Sequence, residues 1–147
     1  GKMSNPFEGD DIITKRAIRY LKGRPRVAIL YRFQEMEPDI VVKTDSDWAG
    51  DEMTRRSTGG CVVLNGTHTI TWWCKHQTRI ALSSCEAELD ASLKGAIDGL
   101  TAQRLAKDFG DSPSLEVKTD ASAARGVIMR QGVRKKRHLH VKQLCLQ

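Results

Sequence analysis

The sequence predicts an α/β domain built on a mixed sheet, with the element order βββαβα. Two apolar, β-branched segments, 61–64 and 67–73, are separated only by Asn65-Gly66. This dipeptide strongly favours a hairpin, because both residues tolerate the positive φ angles of a type I′ turn. Another β-branched strand, 39–45, precedes the hairpin, so three consecutive antiparallel strands are predicted to begin the domain.

The second half of the domain is predicted as a helix, a strand and a helix. Residues 82–108 form the first helix, a short strand follows at 115–119, and an alanine-rich helix occupies 121–130. The long helix carries an apolar stripe at helical spacing: Leu89, Leu93, Ile97 and Leu100. The whole domain is therefore predicted over residues 39–147.

Residues 1–38 are predicted to form a lead-in to that domain, with one helix and one strand. Asp10 or Asp11 is in position to cap the helix, and Gly23 is expected to help end it. The apolar segment 27–33 is predicted as a strand.

The net charge of +6 is distributed unevenly along the 147 residues. Residues 39–120 contain 9 Lys and Arg but 13 Asp and Glu, whereas residues 121–147 contain 7 basic residues and no acidic one. An acidic middle beside a basic tail fits a cation site flanked by a phosphate-binding surface. A merely soluble surface explains the charge equally well.

Cysteine usage and hydropathy predict the compartment. The four cysteines form no CxxC pair and lie in or near apolar segments, so buried free thiols are expected and a zinc site is not. The sequence has no apolar run of about 18 or more residues, so no membrane segment is expected. We therefore expect a soluble, intracellular protein.

Three acidic residues in or next to predicted elements suggest a divalent-cation site. Asp45 ends the first strand of the domain, Glu88 lies in the long helix, and Asp120 follows the last strand. Carboxylate oxygens bind hard cations, and paired metal ions about 3.5–4 Å apart catalyse phosphodiester chemistry. Each acid also has an ordinary explanation: a turn or surface residue for Asp45, a surface residue for Glu88, and a helix N-cap for Asp120.

Two glutamates near the start of the predicted long helix have different predicted roles. Ser83 and Glu86 match a capping box, in which Ser83 is the N-cap and Glu86 accepts a hydrogen bond from its amide. Glu88 has no such structural role, and it is followed at helical spacing by small residues: Ala91, Ser92 and Gly95. A stripe of small residues lets a helix approach a sheet closely, which would bring Glu88 to the strand end that carries Asp45.

A basic run near the C-terminus is a candidate nucleic-acid-binding segment: Arg134, Lys135, Lys136 and Arg137. Neutralising phosphates releases counterions and makes binding depend on salt. Such a run is also typical of a solvated loop. Trp48, Trp72 and Trp73 could stack on bases, although a tryptophan in a hairpin more often belongs to the core.

The sequence contains, in order, the motifs 44–51 (TDSDWAGD), 54–60 (TRRSTGG), 70–72 (ITW), 81–89 (ALSSCEAEL), 119–123 (TDASA) and 137–141 (RHLHV). Together these motifs resemble the ribonuclease H domain of Pol polyproteins from copia-class LTR retrotransposons. Upstream, residues 16–23 (RAIRYLKG) resemble the segment that links reverse transcriptase to that domain. The resemblance covers nearly the whole chain.

The resemblance implies a ribonuclease H-like fold. It also implies an enzyme that hydrolyses the RNA strand of RNA–DNA hybrids with the help of two Mg²⁺ or Mn²⁺ ions. It implies metal ligation by Asp45, Glu88 and Asp120, and a reverse transcriptase domain of the same polyprotein as partner. In the family, a fifth strand and an Ala-Asp pair opening a final helix come after the segment where this sequence ends. We therefore expect that strand, that helix and the fourth acid to be missing, and the second ion to be held poorly. His140 also stands where relatives usually have Asp.

These expectations define a divalent-metal-dependent endonuclease of retroelement reverse transcription, whose activity as this fragment is open. If expressed, it would reside in cytoplasmic virus-like particles. The alternative is a decayed, non-catalytic domain that binds nucleic acid or braces the polymerase. An integrase is disfavoured by the motifs and by the absence of a zinc-binding His/Cys module.

Overall fold

The computed structural model describes residues 8–26, 28–35 and 39–129. The chain divides into two compact units, residues 1–32 and 33–147. The first unit contains helix α1, and the second contains all the other elements. The elements are α1 (Glu8–Gly23), β1 (Asp39–Ser46), β2 (Thr58–Asn65), β3 (His68–His76), α2 (Ser84–Asp108), β4 (Ser114–Thr119) and α3 (Ser122–Ile128).

The second unit is built on a four-stranded mixed sheet with the strand order β3-β2-β1-β4. The β1–β2 and β2–β3 pairs are antiparallel, whereas β4 lies parallel to β1. A parallel pair needs a crossover connection, and α2 supplies it. The described part of this unit thus has the predicted βββαβα order, and its arrangement is compatible with a ribonuclease H-like fold.

The β2–β3 hairpin forms as predicted, but its turn lies one residue later than expected. Asn65 is still paired with His68, so the two turn residues are Gly66 and Thr67. Gly66 has φ +56°, whereas Asn65 is not among the described residues with positive φ. A type I′ turn needs positive φ at both turn residues, and Thr67 is not among the described residues with positive φ, so the predicted type I′ turn is wrong.

The core lies between one face of the sheet and α2. Alternate residues of β1 are buried, and three of them line this face: Ile40, Val42 and Thr44. Cys61 and Val63 of β2 complete the cluster with Ile40 and Val42. Burial raises the pKa of the Cys61 thiol to about 11, with a smaller contribution from Asp98. Cys85 is also buried, but Cys74 is exposed, which corrects the expectation that it too would be buried.

The buried face of α2 differs from the predicted apolar stripe. Leu89 is fully buried, but Ile97 is 55% exposed and Leu100 is 44% exposed. The helix instead packs through mostly small residues: Ala87, Ala91, Ser92, Gly95, Ala96 and Gly99. Small side chains on one helix face shorten the distance between the helix axis and the sheet, and that distance decides where Glu88 lies.

The lead-in departs from its prediction in two respects. Helix α1 begins at Glu8, so Asp10 and Asp11 lie within the helix instead of capping it. Residues 28–33 form no strand, although 27–33 was predicted as one. Among the described residues, no helix is both long enough and apolar enough to cross a membrane.

Candidate metal centre

The parallel pairing of β1 and β4 brings two of the predicted acids together. Thr44 is paired with Thr119 in the register, so Asp45 and Asp120 follow directly at the same end of neighbouring strands. Both aspartates are exposed. Because parallel strands end at the same edge of a sheet, residues separated by 75 positions in sequence share one location.

Glu88 reaches this strand end from α2. Its Oε1 accepts a hydrogen bond from the Ser46 backbone N–H at 3.1 Å, and its Oε2 lies 3.4 Å from the Thr119 hydroxyl, which donates to it. The glutamate is only 7% exposed. One carboxylate oxygen from each of Asp45, Glu88 and Asp120 lies within 4.8 Å of the others. The structure therefore brings all three predicted acids together.

A buried contact between α2 and β1 supports this approach. The Thr44 and Ser92 hydroxyls are 3.1 Å apart in the interior. A Cβ added at Gly95 would lie 2.6 Å from Thr44 Cγ2 and 2.9 Å from Val42 Cγ1, so this position leaves no room for a side chain without movement. Gly95 lies two turns after Glu88 on the same face, which makes the helix spacing at Gly95 part of the geometry of the centre.

The electrostatics of the cluster favour a bound cation. Burial raises the pKa of the Glu88 carboxyl, and the nearby negative charges of Asp45 and Asp120 raise it further, whereas the hydrogen bond from Ser46 opposes the shift. Like charges this close disfavour simultaneous ionisation. A divalent cation would offset that repulsion and favour the charged form of Glu88.

The donor set and its dimensions fit a hard divalent ion. All three residues offer carboxylate oxygens, which suit Mg²⁺, Mn²⁺ or Ca²⁺. Ligands on opposite sides of one Mg²⁺ are about 4.2 Å apart, because each Mg–O distance is about 2.1 Å. The three carboxylate oxygens lie within 4.8 Å of one another, which is therefore close to the spacing of ligands around one bound ion. The exposed Asp45 and Asp120 have the rotamer freedom to close the remaining distance, while Glu88 is held.

The other acids near the centre have structural partners. Glu86 does cap α2, and its Oε2 accepts a hydrogen bond from the Leu82 N–H at 2.8 Å. Ser83 is the N-cap, with its hydroxyl accepting from Glu86 N–H. Asp47 accepts a hydrogen bond from the Thr58 N–H and lies outside the cluster. Ser83 and Glu86 therefore have structural roles at the start of α2, whereas Glu88 belongs to the acidic cluster, as the sequence predicts.

Asp120 is not a helix N-cap, which was the structural role that the sequence left open for it. The N-cap of α3 is Ala121, which makes no side-chain capping bond. Thr119 was not singled out from the sequence, yet its hydroxyl also accepts from the Ala121 N–H at 3.3 Å and so links Glu88 to the β4–α3 junction. The predicted phosphate-binding run 134–137 and His140 lie outside the described residues.

Comparisons with known proteins place transposon polyproteins among the relatives of this chain. No protein-family model matches it. An uncharacterized mitochondrial protein of Arabidopsis thaliana is 37% identical over 90 residues, which is 61% of this chain and 37% of that protein. The retrovirus-related Pol polyprotein from transposon RE1 of Arabidopsis thaliana is 39% identical over 86 residues, or 58% of this chain and 6% of the polyprotein.

A third relative extends over more of the chain. The retrovirus-related Pol polyprotein from transposon TNT 1-94 of Nicotiana tabacum is 29% identical over 108 residues, 74% of this chain and 8% of the polyprotein. The chain spans 37% or less of the length of each of these three relatives. Its relatives thus include retrovirus-related Pol polyproteins, of which it corresponds to a small part.

Proposed function

We propose that this chain is the nuclease domain of a retroelement Pol polyprotein and hydrolyses the RNA strand of RNA–DNA hybrids. The observation that carries the proposal is the convergence of Asp45, Glu88 and Asp120 from three separate elements on one point at the end of the sheet. Similarity to retrovirus-related Pol polyproteins supports a role in a retroelement. The reverse transcriptase domain of the same polyprotein is the proposed partner.

The three acids have different tasks in this proposal. Divalent cations, when bound, supply an activated water and stabilise the charge that develops on the phosphodiester. Glu88, buried and held by the Ser46 N–H, is the fixed ligand that sets the position of the centre. Asp45 and Asp120 are exposed, so they face the solvent from which the nucleic acid arrives. The basic residues Arg134–Arg137 are proposed to contact phosphates.

The direct test is cleavage of a labelled RNA–DNA hybrid in Mg²⁺ or Mn²⁺ by the parent chain, Asp45→Asn and Asp47→Asn. Asp47 is a matched control, because it lies two residues away but bonds the Thr58 amide and is outside the cluster. We expect cleavage by the parent chain and by Asp47→Asn, with loss in Asp45→Asn. Equal cleavage by all three would refute the assignment. Salt-sensitive hybrid binding without any cleavage would instead indicate a non-catalytic nucleic-acid-binding domain.

A further inference from the structure

An exposed tryptophan lies beside the metal centre and has no role in its geometry. The Trp48 indole N–H donates to the Ala81 carbonyl oxygen at 3.1 Å. Nevertheless, 56% of the residue remains exposed. The hydrogen bond satisfies the polar edge of the ring and fixes its orientation. An apolar surface therefore remains open to solvent in one preset position.

The loop that carries Trp48 is held on both sides of the tryptophan. The Asp47 N–H donates to the Thr58 carbonyl oxygen at 3.0 Å, and the Asp47 carboxylate accepts from the Thr58 N–H. The Ala49 N–H donates to the hydroxyl of Ser57, which is fully buried, at 3.0 Å. The indole is therefore pre-organised, which lowers the entropic cost of placing a ligand against it.

Trp48 is close in sequence, and therefore in space, to one acid of the cluster. It follows Asp45 by three residues, so their Cα atoms are at most about 11 Å apart even if the chain between them is fully extended. The residues on either side of its hydrogen-bond partner Ala81 are also exposed: Ile80 at 55% and Leu82 at 67%. An apolar surface thus lies within a few nucleotides of the proposed reaction centre.

Charges on the flanking loops favour a nucleic acid as the ligand of this surface. Arg55 and Arg56 follow Trp48 on its own loop, and Arg79 precedes Ile80 on the other; all three are exposed. None of these arginines forms an ion pair with a described residue. The Asp51 carboxylate on the same loop accepts from the Met53 and Thr54 amides. The guanidinium groups are thus available to phosphates.

We propose that Trp48 stacks on an unpaired base of the nucleic acid strand whose backbone occupies the metal centre. A base inside a duplex already has neighbours on both faces, whereas an unpaired base in a single-stranded extension can turn a face to an indole. The inference deepens the proposed nuclease function and rests on it. It predicts that the domain prefers hybrids with a single-stranded extension over blunt hybrids.

The test is a fluorescence-anisotropy titration of the full chain, at low salt and with EDTA so that no strand is cleaved. The probes are a blunt RNA–DNA hybrid, the same hybrid with a short single-stranded extension, and a version whose extension is abasic. We expect the parent chain to bind the base-containing extension most tightly. Trp48→Ala should weaken that binding by about 5- to 150-fold, which corresponds to the usual contribution of one stacked base, and should bind the other two probes normally.

Phe109→Ala is the matched control. Phe109 is an aromatic residue, 80% exposed, that caps the far end of α2, about 31 Å along the helix from Glu88. This variant should bind all three probes as the parent does. Trp48→Phe, which keeps a ring but loses the indole N–H, should lie between parent and Trp48→Ala. Urea unfolding of each variant separates a loss of stacking from a loss of fold.

Two results would overturn the inference: Trp48→Ala binding the base-containing extension as tightly as the parent, or losing equal affinity for the abasic extension. The second would mean that the tryptophan acts on the loop and not on a base. The result is independent of cleavage, because no metal is present. A chain that never cleaves but shows the Trp48-dependent preference would refute the nuclease and retain the stacking site.

Discussion

Replacing Gly95 with alanine tests whether close packing of α2 on β1 is what positions Glu88. The new Cβ would lie 2.6 Å from Thr44 Cγ2, 2.9 Å from Val42 Cγ1 and 3.1 Å from Cys61 Sγ. Carbon atoms in good contact are about 3.5–4.0 Å apart. Thr44 and Val42 are buried, β-branched strand residues with few alternative rotamers, so relief must come from the helix. We expect α2 to retreat by roughly 1 Å.

The expected change in the free energy of unfolding of Gly95→Ala has two opposing parts. Overpacking of this kind costs about 1–3 kcal/mol, and the better helix propensity of alanine returns up to about 1 kcal/mol. The net effect should be a destabilisation of about 1 kcal/mol. A retreat of roughly 1 Å would also stretch the 3.1 Å bond between Ser46 N–H and Glu88 beyond hydrogen-bonding distance. Divalent-metal affinity should then fall by about 10-fold or more.

Urea unfolding and Mn²⁺ titration calorimetry on Gly95→Ala and Gly126→Ala would measure both effects. Gly126 is the matched control, because it lies within helix α3 and a Cβ there would meet no atom within 4 Å. The free energy of unfolding of that variant should rise by about 0.5–1 kcal/mol, and its Mn²⁺ affinity should stay the same. If Gly95→Ala is stabilised as much as the control and binds Mn²⁺ as the parent does, close packing at Gly95 does not position Glu88.

Three further predictions concern the immediate surroundings of the acids. The folded-state pKa of Glu88 is raised, chiefly by burial, so its contribution to stability is present at acid pH and is lost as pH rises through that pKa. Metal-free Glu88→Gln should therefore match the parent near pH 4 and exceed it in urea-unfolding free energy at pH 7; a parent that is as stable as this variant at both pH values would contradict the linkage. Thr119→Val removes the hydroxyl that faces Glu88 and should weaken Mn²⁺ binding by about 10-fold in calorimetry, while Thr119→Ser and Thr71→Val on β3 should not. Ser83→Ala removes the N-cap acceptor of α2 and should cost about 1 kcal/mol in urea unfolding; no loss there would mean that Glu86 alone is sufficient.

The sequence singled out the three clustered acids because each had a distinct local context. The capping box accounted for Glu86 and left Glu88, and the small residues after Glu88 indicated a close helix–sheet approach, which the contact at Gly95 confirms. The partner of Glu86 was less accessible to prediction. Its bond to the Leu82 amide depends on the path of the chain into the helix, which has no local signature.

Two of the predictions that failed relied on large apolar residues alone. The expected stripe on α2 followed leucine and isoleucine, yet Ile97 and Leu100 are exposed because the small-residue face packs against the sheet. Residues 27–33 have strand-like composition, but composition supplies no partner strand, and residues 28–33 remain outside the sheet. The roles of Ser46 and Thr119 depend on strand register, which has no local signature.

The most direct test of the account is Mn²⁺ titration calorimetry of the parent chain, Asp120→Asn and Asp47→Asn. Asp120 contributes one of the three clustered carboxylates, whereas the nearby Asp47 does not. We expect Mn²⁺ binding by the parent and by Asp47→Asn, with at least about a 10-fold weaker affinity in Asp120→Asn, because one of three ligands is lost. Equal Mn²⁺ affinity in all three proteins would contradict the claim that these acids form one metal centre.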